Sequence, residues 1–289
     1  MIKLGKIFVR QAKKLGLTYA SINFFTQVQF IGKNMHLITT SLKAKIKQGK
    51  SIGGAWMMTV NPAFAEIASA IGLDFVVVDM EHGAIGLADI PGILRGFSGE
   101  TSALVRVPSA DPSLIARVLD RGAHGVMVPR VESVEIALEV ARAAKFPPQG
   151  DRGLALPALR ASAYGTNPNY RINANRDTLV IIQLESLNAM NLALEIGGLP
   201  EVDLVFVGPT DLSANLNLEG PDHFIELNQV IDTVVAKCTL AKIPVGIIPF
   251  AGRVIPELKH LGFQMIVAGS DVGFLRESVA NLKKTLGTN

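Results

Sequence analysis

Eight short apolar segments alternate with longer segments of helical periodicity along most of this chain, and this alternation restricts the possible folds more than any other feature. The apolar segments have the length of strands, and most are rich in Val and Ile. Eight strand and helix pairs within about 240 residues match a (β/α)8 TIM barrel in number and length. The sequence therefore predicts an α/β fold of this type, with strands over residues 52–58, 73–79, 103–107, 124–128, 178–185, 204–207, 244–248 and 264–268.

The segments between these strands complete a single domain. A segment rich in Pro, Gly, Asn and Arg, residues 146–175, interrupts the alternation, and we predict a long loop with a pair of helical turns there. A doubly wound sheet would carry a GxGxxG turn after an early strand, and neither Gly53-Gly54 nor Gly83 has that form. No linker divides the chain, so we predict one barrel domain over residues 35–289, with helices at 62–71, 88–97, 112–121, 134–144, 224–242, 254–261 and 272–286 and after Ser186 and Gly208.

The first 50 residues differ in charge from the rest of the chain. They contain ten Lys or Arg and no Asp or Glu, which leaves 18 basic residues against all 25 acidic ones in residues 51–289. Such an acidic main body does not favour nucleic acid as a partner. The basic extension, residues 1–34, is typical either of an organellar transit peptide or of a reading frame extended upstream of Met35. We predict a cytoplasmic protein, or an imported one if the extension is a transit peptide.

Two further features limit the class of protein. The single cysteine, Cys238, excludes an internal disulfide framework and a Cys-rich zinc site, and it is typical of a reducing compartment. The mean hydropathy is +0.33, yet no apolar stretch approaches the roughly 20 residues of a membrane-spanning helix. The sequence therefore predicts no association with a membrane.

Two predicted strands each end in a carboxylate. Glu185 follows the strand in TLVIIQLE, and Asp211 follows the strand and tight turn in LVFVGPTD. If these strands are neighbours in a parallel sheet, both carboxylates lie at the rim where α/β folds place their chemistry. Hard oxygen ligands favour Mg²⁺ or Mn²⁺, with Co²⁺ also compatible. The alternative is that Asp211 only stabilises a helix start and Glu185 is a surface charge.

A histidine and two acids close the second predicted strand, in the order Asp79-Met80-Glu81-His82-Gly83. Alternation along a strand places Asp79 and Glu81 on one side and brings His82 to the rim. An imidazole there can act as a general base, oriented by an adjacent carboxylate. The alternative is a hydrogen-bonded structural histidine.

Two arginines lie in unusual contexts. Arg106 lies in the apolar strand ALVRVP, where a guanidinium must meet an anion, which is either a substrate carboxylate or an internal partner such as Asp79 or Glu185. Arg152, in the Pro-rich turn of residues 146–153, either holds the loop in place or contacts an acidic substrate, and we favour the structural role. Asp120 has an alternative role as the ion-pair partner of Arg117, one turn earlier.

The motifs together resemble the HpcH/HpaI aldolase family, which comprises metal-dependent class II pyruvate aldolases. The resemblance extends over residues 42–286, and it depends on the order of the motifs more than on any single one. These are DMEHG at 79–83, RVP at 106–108, LDRGA at 119–123, VP at 128–129, PPQGDRG at 147–153, QLE at 183–185 and GPTDLS at 208–213.

The resemblance implies a role for each candidate site residue. Glu185 and Asp211 bind the divalent metal. Catalysis involves His82 and Arg106, with Asp79 and Asp120 supporting the histidine, and Asp120 acts at the site of a neighbouring subunit. The substrate contacts Arg106, Gln183 and the main chain at Gly208, Pro209 and Thr210. The barrels assemble into trimers or hexamers by exchange of the last helix.

The activity implied is cleavage of a 4-hydroxy-2-oxo acid, of the 2-keto-3-deoxy acid type, to pyruvate and an aldehyde. The metal stabilises the enolate, so no lysine Schiff base is needed. Two alternatives remain at this point: a lyase of the citrate-lyase-β or malyl-CoA-lyase type, and a barrel without catalytic activity. The four residues His82, Arg106, Glu185 and Asp211 argue against the second, because a structural role does not need them jointly.

Overall fold

Eight parallel strands form a closed barrel in the order β1 to β8, in a computed structural model that describes residues 42–217 and 223–287. Each strand pairs with the next one in sequence, and β8 pairs with β1. The predicted (β/α)8 fold is confirmed. The basic extension, residues 1–34, lies outside the described residues. The strands are β1 Ile52–Met57, β2 Phe75–Asp79, β3 Ser102–Arg106, β4 Gly125–Val128, β5 Leu179–Leu184, β6 Leu204–Val207, β7 Val245–Ile247 and β8 Met265–Ser270.

Helices connect the strands on the outside of the barrel. Several begin with proline in the first turn, where the missing N–H costs no intrahelical hydrogen bond. Residues 42–47, before β1, are also helical, and the helices that follow are α1 Pro62–Ile71, α2 Ile90–Leu94, α3 Pro112–Asp120, α4 Val134–Ala144, α5 Tyr170–Asp177, α6 Leu187–Asn191, α7 Ala193–Gly197, α8 Pro209–Asn215, α9 His223–Leu240, α10 Ile255–His260 and α11 Asp271–Thr285. Among the described residues, no helix is both long enough and apolar enough to cross a membrane.

The loop predicted for residues 146–175 contains more helix than expected. Two 3₁₀ turns, Leu156–Ala158 and Arg160–Ser162, are followed by α5. The helix α5 has the mostly polar sequence YRINANRD and buries Tyr170 and Ala174 as its apolar residues, so its sequence carries no apolar stripe that would predict it.

Alternation along the strands separates the core into two layers. One layer fills the inside of the barrel and includes Phe75, Val77 and Leu104, while the residues between them pack outward against the helices. Extending the inward series of β2, β3 and β5 to the end of each strand leads to Asp79, Arg106 and Gln183. The fold therefore presents polar side chains at the C-terminal end of the barrel, where TIM barrels carry their active sites.

Candidate active site

A cavity of about 790 Å³ opens at the C-terminal ends of the strands. Within the described parts of the chain, no lysine lines it. Its polar lining comes mainly from the ends of β2, β3, β5 and β6 and from the loops that follow them. The polar lining residues are Thr59, His82, Arg106, Gln183, Glu185, Thr210, Asp211 and Ser270.

The opposite side of the cavity, next to β7, β8 and β1, is mainly apolar. It contains Met58, Ile248 and Val272, and Trp56 on β1 borders it and contacts Arg106. The hydroxyl groups on this side already have partners within the protein. Thr59 Oγ1 donates to the Asp271 carboxylate at 2.5 Å, and Ser270 Oγ accepts from the main chain of α11.

Arg106 connects the floor of the cavity to two buried acids. Its Nε and Nη2 atoms donate to the two Asp79 oxygens at 2.8 and 2.6 Å, and its Nη1 atom lies 3.2 Å from Glu81 Oε2. The guanidinium also lies 4.3 Å from the ring centroid of Trp56. An internal partner for Arg106 was expected, and it is Asp79 together with Glu81 rather than Glu185. Because a guanidinium has five N–H groups, Arg106 retains donors for a ligand in the cavity.

His82 begins the loop after β2, and its side chain is 58% exposed. The predicted support from Asp79 is indirect, because the Asp79 carboxylate accepts the main-chain N–H groups of Glu81 and His82 at 3.0 and 3.4 Å. Glu81 is the acid close to the imidazole, with its Oε2 atom 3.9 Å from His82 Nε2. Asp79 therefore holds the loop, and Glu81 faces the ring.

Both oxygens of Glu185 accept hydrogen bonds. The donors are Gln183 Nε2 at 3.0 Å and the Arg130 main-chain N–H at 3.1 Å. The pKa of Glu185 is raised to about 7, chiefly by burial and also by the negative charges of Glu81 and Asp211. The Glu185 carboxylate thus lies near other acids, and the buried Gln183 Oε1 atom beside it has no hydrogen-bond partner in the described chain. A cation bound there would stabilise the negative charge of Glu185.

The donor set suits a hard divalent cation. Glu185 and Asp211 line one cavity at the ends of adjacent strands, as predicted. Among residues 42–217 and 223–287, no group of three His, Cys, Asp or Glu side chains is placed to share one metal ion. Two carboxylates are fewer ligands than Mg²⁺ takes, so a cation bound between them would need water and substrate to complete its coordination.

Gly208 is required by the position of Glu185. A Cβ atom at this position would lie 2.7 Å from Glu185 Cγ and 2.9 Å from its Oε1 atom. The predicted main-chain contacts to substrate are fewer than expected, because the Gly208 N–H donates to Leu184 O and Pro209 has no N–H. This leaves the N–H groups of Thr210 and Asp211, in the first turn of α8, to face an anion.

Asp120 does not join the site within one chain. It ends α3, which runs from β3 back to the start of β4, so it lies at the opposite end of the barrel from His82. Its partner is Arg152, not Arg117, with 2.7 Å between Arg152 Nη2 and Asp120 Oδ1. Arg152 is buried beneath the ring of Phe146, as its favoured structural role requires. The action of Asp120 at a neighbouring subunit stays a prediction.

The contacts of Arg130 at the rim were not predicted from the sequence. Arg130 contacts both Glu185 and Glu81, and its backbone is in the left-handed region with φ of 53°. The sequence VPRV contained no signal for these contacts.

Comparison with known proteins agrees with the geometry. A 4-hydroxy-2-oxovalerate aldolase of Novosphingobium aromaticivorans is 34% identical over 239 residues, which cover 82% of this chain and 90% of that protein. A 2-dehydro-3,6-dideoxy-6-sulfogluconate aldolase of Pseudomonas putida is 33% identical over 79% of this chain and 90% of its own length.

A solved structure gives the same result at the level of the fold. A crystal structure of an HpcH/HpaI aldolase/citrate lyase family protein from Burkholderia cenocepacia superposes with a TM-score of 0.79 at 29% identity, covering 86% of this chain and 99% of that one. The profile of the HpcH/HpaI aldolase/citrate lyase family matches residues 53–278. The chain belongs to the HpcH/HpaI aldolase/citrate lyase family.

Proposed function

We propose that the protein is a divalent-metal-dependent aldolase that reversibly cleaves a 4-hydroxy-2-oxo acid to pyruvate and an aldehyde. One observation supports this function most strongly. Two carboxylates, Glu185 and Asp211, line the same cavity as Arg106 and His82, and no lysine from the described chain is available there for a Schiff base. Related proteins named as aldolases of 2-oxo acids support the same reaction class.

The proposed metal ligands are Glu185 and Asp211. A divalent cation held there, Mg²⁺ or Mn²⁺ by the hardness of the donors, would supply positive charge to the carboxylate and ketone oxygens of the 2-oxo acid. Arg106 adds a second cation beside the same oxygens, where negative charge develops as the carbon–carbon bond breaks. The N–H groups of Thr210 and Asp211 complete the recognition of the substrate carboxylate.

His82 is the proposed general base. It takes the proton of the 4-hydroxyl group, directly or through one water molecule, and the C–O bond becomes the carbonyl of the aldehyde. The electrons of the C3–C4 bond form a C2–C3 double bond while those of the C2 carbonyl bond move to its oxygen. The carbonyl then re-forms as C3 takes a proton from the imidazolium or from water, which gives pyruvate. The imidazolium that forms lies near the Glu81 carboxylate, whose Oε2 atom is 3.9 Å from His82 Nε2.

The function predicts that the protein exchanges the methyl protons of pyruvate with deuterium from solvent. We expect exchange with Mg²⁺ or Mn²⁺, followed by proton NMR, and loss of exchange when a chelator removes the metal. Borohydride added with pyruvate should leave the mass of the protein unchanged, because no Schiff base forms. A folded, metal-loaded protein that fails to exchange would contradict the proposal and direct attention to the acyl-CoA lyase alternative.

We also propose that the chain forms a homo-oligomer through α11. Apart from Asp271 at its start, α11 buries none of its residues against its own barrel. Leu275, Val279 and Leu282, which are 56–62% exposed, lie on one face of the helix at i, i+4 and i+7 spacing. A continuous apolar face of this kind on a surface helix is typical of an interface between subunits.

Substitution of Val279 by Glu should therefore convert the oligomer to monomers of 30.8 kDa, as measured by light scattering after size-exclusion chromatography. The matched control is Ala280→Glu, which adds the same charge to an exposed position away from the apolar face. The interface would be disproved if the wild-type protein is already monomeric, or if both variants retain the wild-type mass.

A further inference from the structure

Arg130 adopts a backbone conformation that is uncommon for a residue with a side chain. It follows β4 and Pro129, and its φ of 53° lies in the left-handed region. This region is unfavourable for an L-residue and persists where the surrounding contacts hold it. The contacts of Arg130 therefore hold it in this conformation.

The residue holds two acids of the candidate site at once. Its main-chain N–H donates to Glu185 Oε2 at 3.1 Å, and its Nη2 atom donates to Glu81 Oε1 at 2.9 Å. The Glu81 side chain is 5% exposed, whereas the Arg130 side chain is 68% exposed. The guanidinium therefore covers the buried Glu81 carboxylate from the solvent side.

Asp79, Glu81 and Arg106 form a cluster in which two carboxylates face one guanidinium, and Arg130 adds the second positive charge. Arg106 faces two carboxylates, Asp79 through two hydrogen bonds and Glu81 at 3.2 Å. Without Arg130 the cluster would carry one net negative charge beside a cavity that must accept an anion. With Arg130 on the other oxygen of Glu81, the cluster is neutral, and Arg106 is less committed to its protein partners.

We propose that Arg130 is a positioning residue that neutralises Glu81 and so keeps Arg106 available to the carboxylate of an anionic substrate. The identity of that substrate rests on the proposed function, but the effect on anion binding does not. The predicted role is in binding more than in the chemical step, because Arg130 does not itself line the cavity.

Three variants test this role. Arg130→Gly removes the guanidinium but keeps the left-handed backbone and the N–H that contacts Glu185. Arg130→Lys keeps the positive charge. The matched control is Lys242→Gly, which also removes an exposed cation from a residue with positive φ, 59°, in the turn between α9 and β7.

Trp56 provides a readout that does not depend on turnover. It is the single tryptophan of the chain, it lines the cavity, and the Arg106 guanidinium lies 4.3 Å from its ring centroid. Its emission therefore reports the position of Arg106 and the entry of a ligand. We would titrate oxalate, a small carboxylate ligand, in the presence of Mn²⁺ by Trp56 fluorescence, and measure KM and kcat for pyruvate deuterium exchange on the same samples.

We expect Arg130→Gly to alter Trp56 emission and to weaken oxalate binding about fivefold, the size typical of a solvent-screened charge. KM for pyruvate should rise by a similar factor while kcat changes little. Arg130→Lys should restore most of the affinity, and Lys242→Gly should behave as wild type. Wild-type oxalate affinity in Arg130→Gly, or no rescue by Arg130→Lys, would overturn the role. If the wild-type protein does not exchange the pyruvate protons but the variants show the expected order of oxalate affinities, the proposed function would be wrong and the role of Arg130 would stand.

Discussion

Replacement of Glu185 by Gln is expected to reduce metal-dependent exchange of the pyruvate methyl protons by about 10³-fold, the rate equivalent of several kcal/mol of charge stabilisation. The variant retains the shape of the side chain and one hydrogen-bond acceptor, but it removes one of the two negative charges that the proposed cation requires. Titration with Mn²⁺ should show weaker binding in parallel. Glu195→Gln, at an exposed position on α7, is the matched control and should behave as wild type.

The same variant should change how stability depends on pH in the metal-free protein. The pKa of Glu185 in the folded state is about 7, above its ordinary 4.5, so the folded state binds this proton more tightly than the unfolded chain does. The resulting stabilisation is complete below pH 4.5 and is lost as the pH rises to about 7. Over this range the free energy of unfolding of wild type should fall by about 1–2 kcal/mol relative to Glu185→Gln. The free energy of unfolding is measured by urea unfolding at several pH values with chelator present. The same pH dependence in wild type and Glu185→Gln would refute this prediction.

Replacement of Arg106 by Ala should have the largest effect on stability. Asp79 is completely buried and receives two hydrogen bonds from Arg106, so the variant leaves an uncompensated carboxylate in the barrel. Breaking a buried ion pair from one side costs about 3–5 kcal/mol. Exchange activity should also be lost, since the cation beside the substrate oxygens is removed. Urea unfolding and the exchange assay measure the two effects separately.

Arg142→Ala is the control for this prediction. Arg142 makes an equivalent two-bond pair with Asp151, but both side chains are more than half exposed. Its removal should change the free energy of unfolding little and leave activity intact. Equal destabilisation in the two variants would show that burial of the Asp79 pair does not matter.

The fold and much of the site could be predicted from the sequence because both follow from periodicity along single segments. Strand alternation and strand ends are local properties, and they place Glu185, Asp211 and Arg106 at one rim. Contacts between segments distant in sequence are different. The pairing of Asp120 with Arg152 joins residues on different elements, and a nearer partner, Arg117, satisfied the same local rule.

Arg130 shows a second reason why part of the site could not be predicted from the sequence. Its left-handed φ arises from the contacts that hold it, since nothing in its residue type favours that conformation. The ion pairs of Glu81 could not be predicted either, because its two partners, Arg106 and Arg130, come from the ends of different strands.

The division of the cavity into a polar side and an apolar side has a consequence for the products of the proposed aldolase. Pyruvate would meet charges and hydrogen-bond donors, and the aldehyde oxygen would face His82, whereas the rest of the aldehyde would lie against Met58, Ile248 and Val272. Apolar walls distinguish ligands that differ by one methylene by only about 1–3 kcal/mol, and they reject an added hydroxyl group weakly. In the synthetic direction, three carbons of every product would come from pyruvate, and the aldehydes available to the protein would determine the remaining carbons.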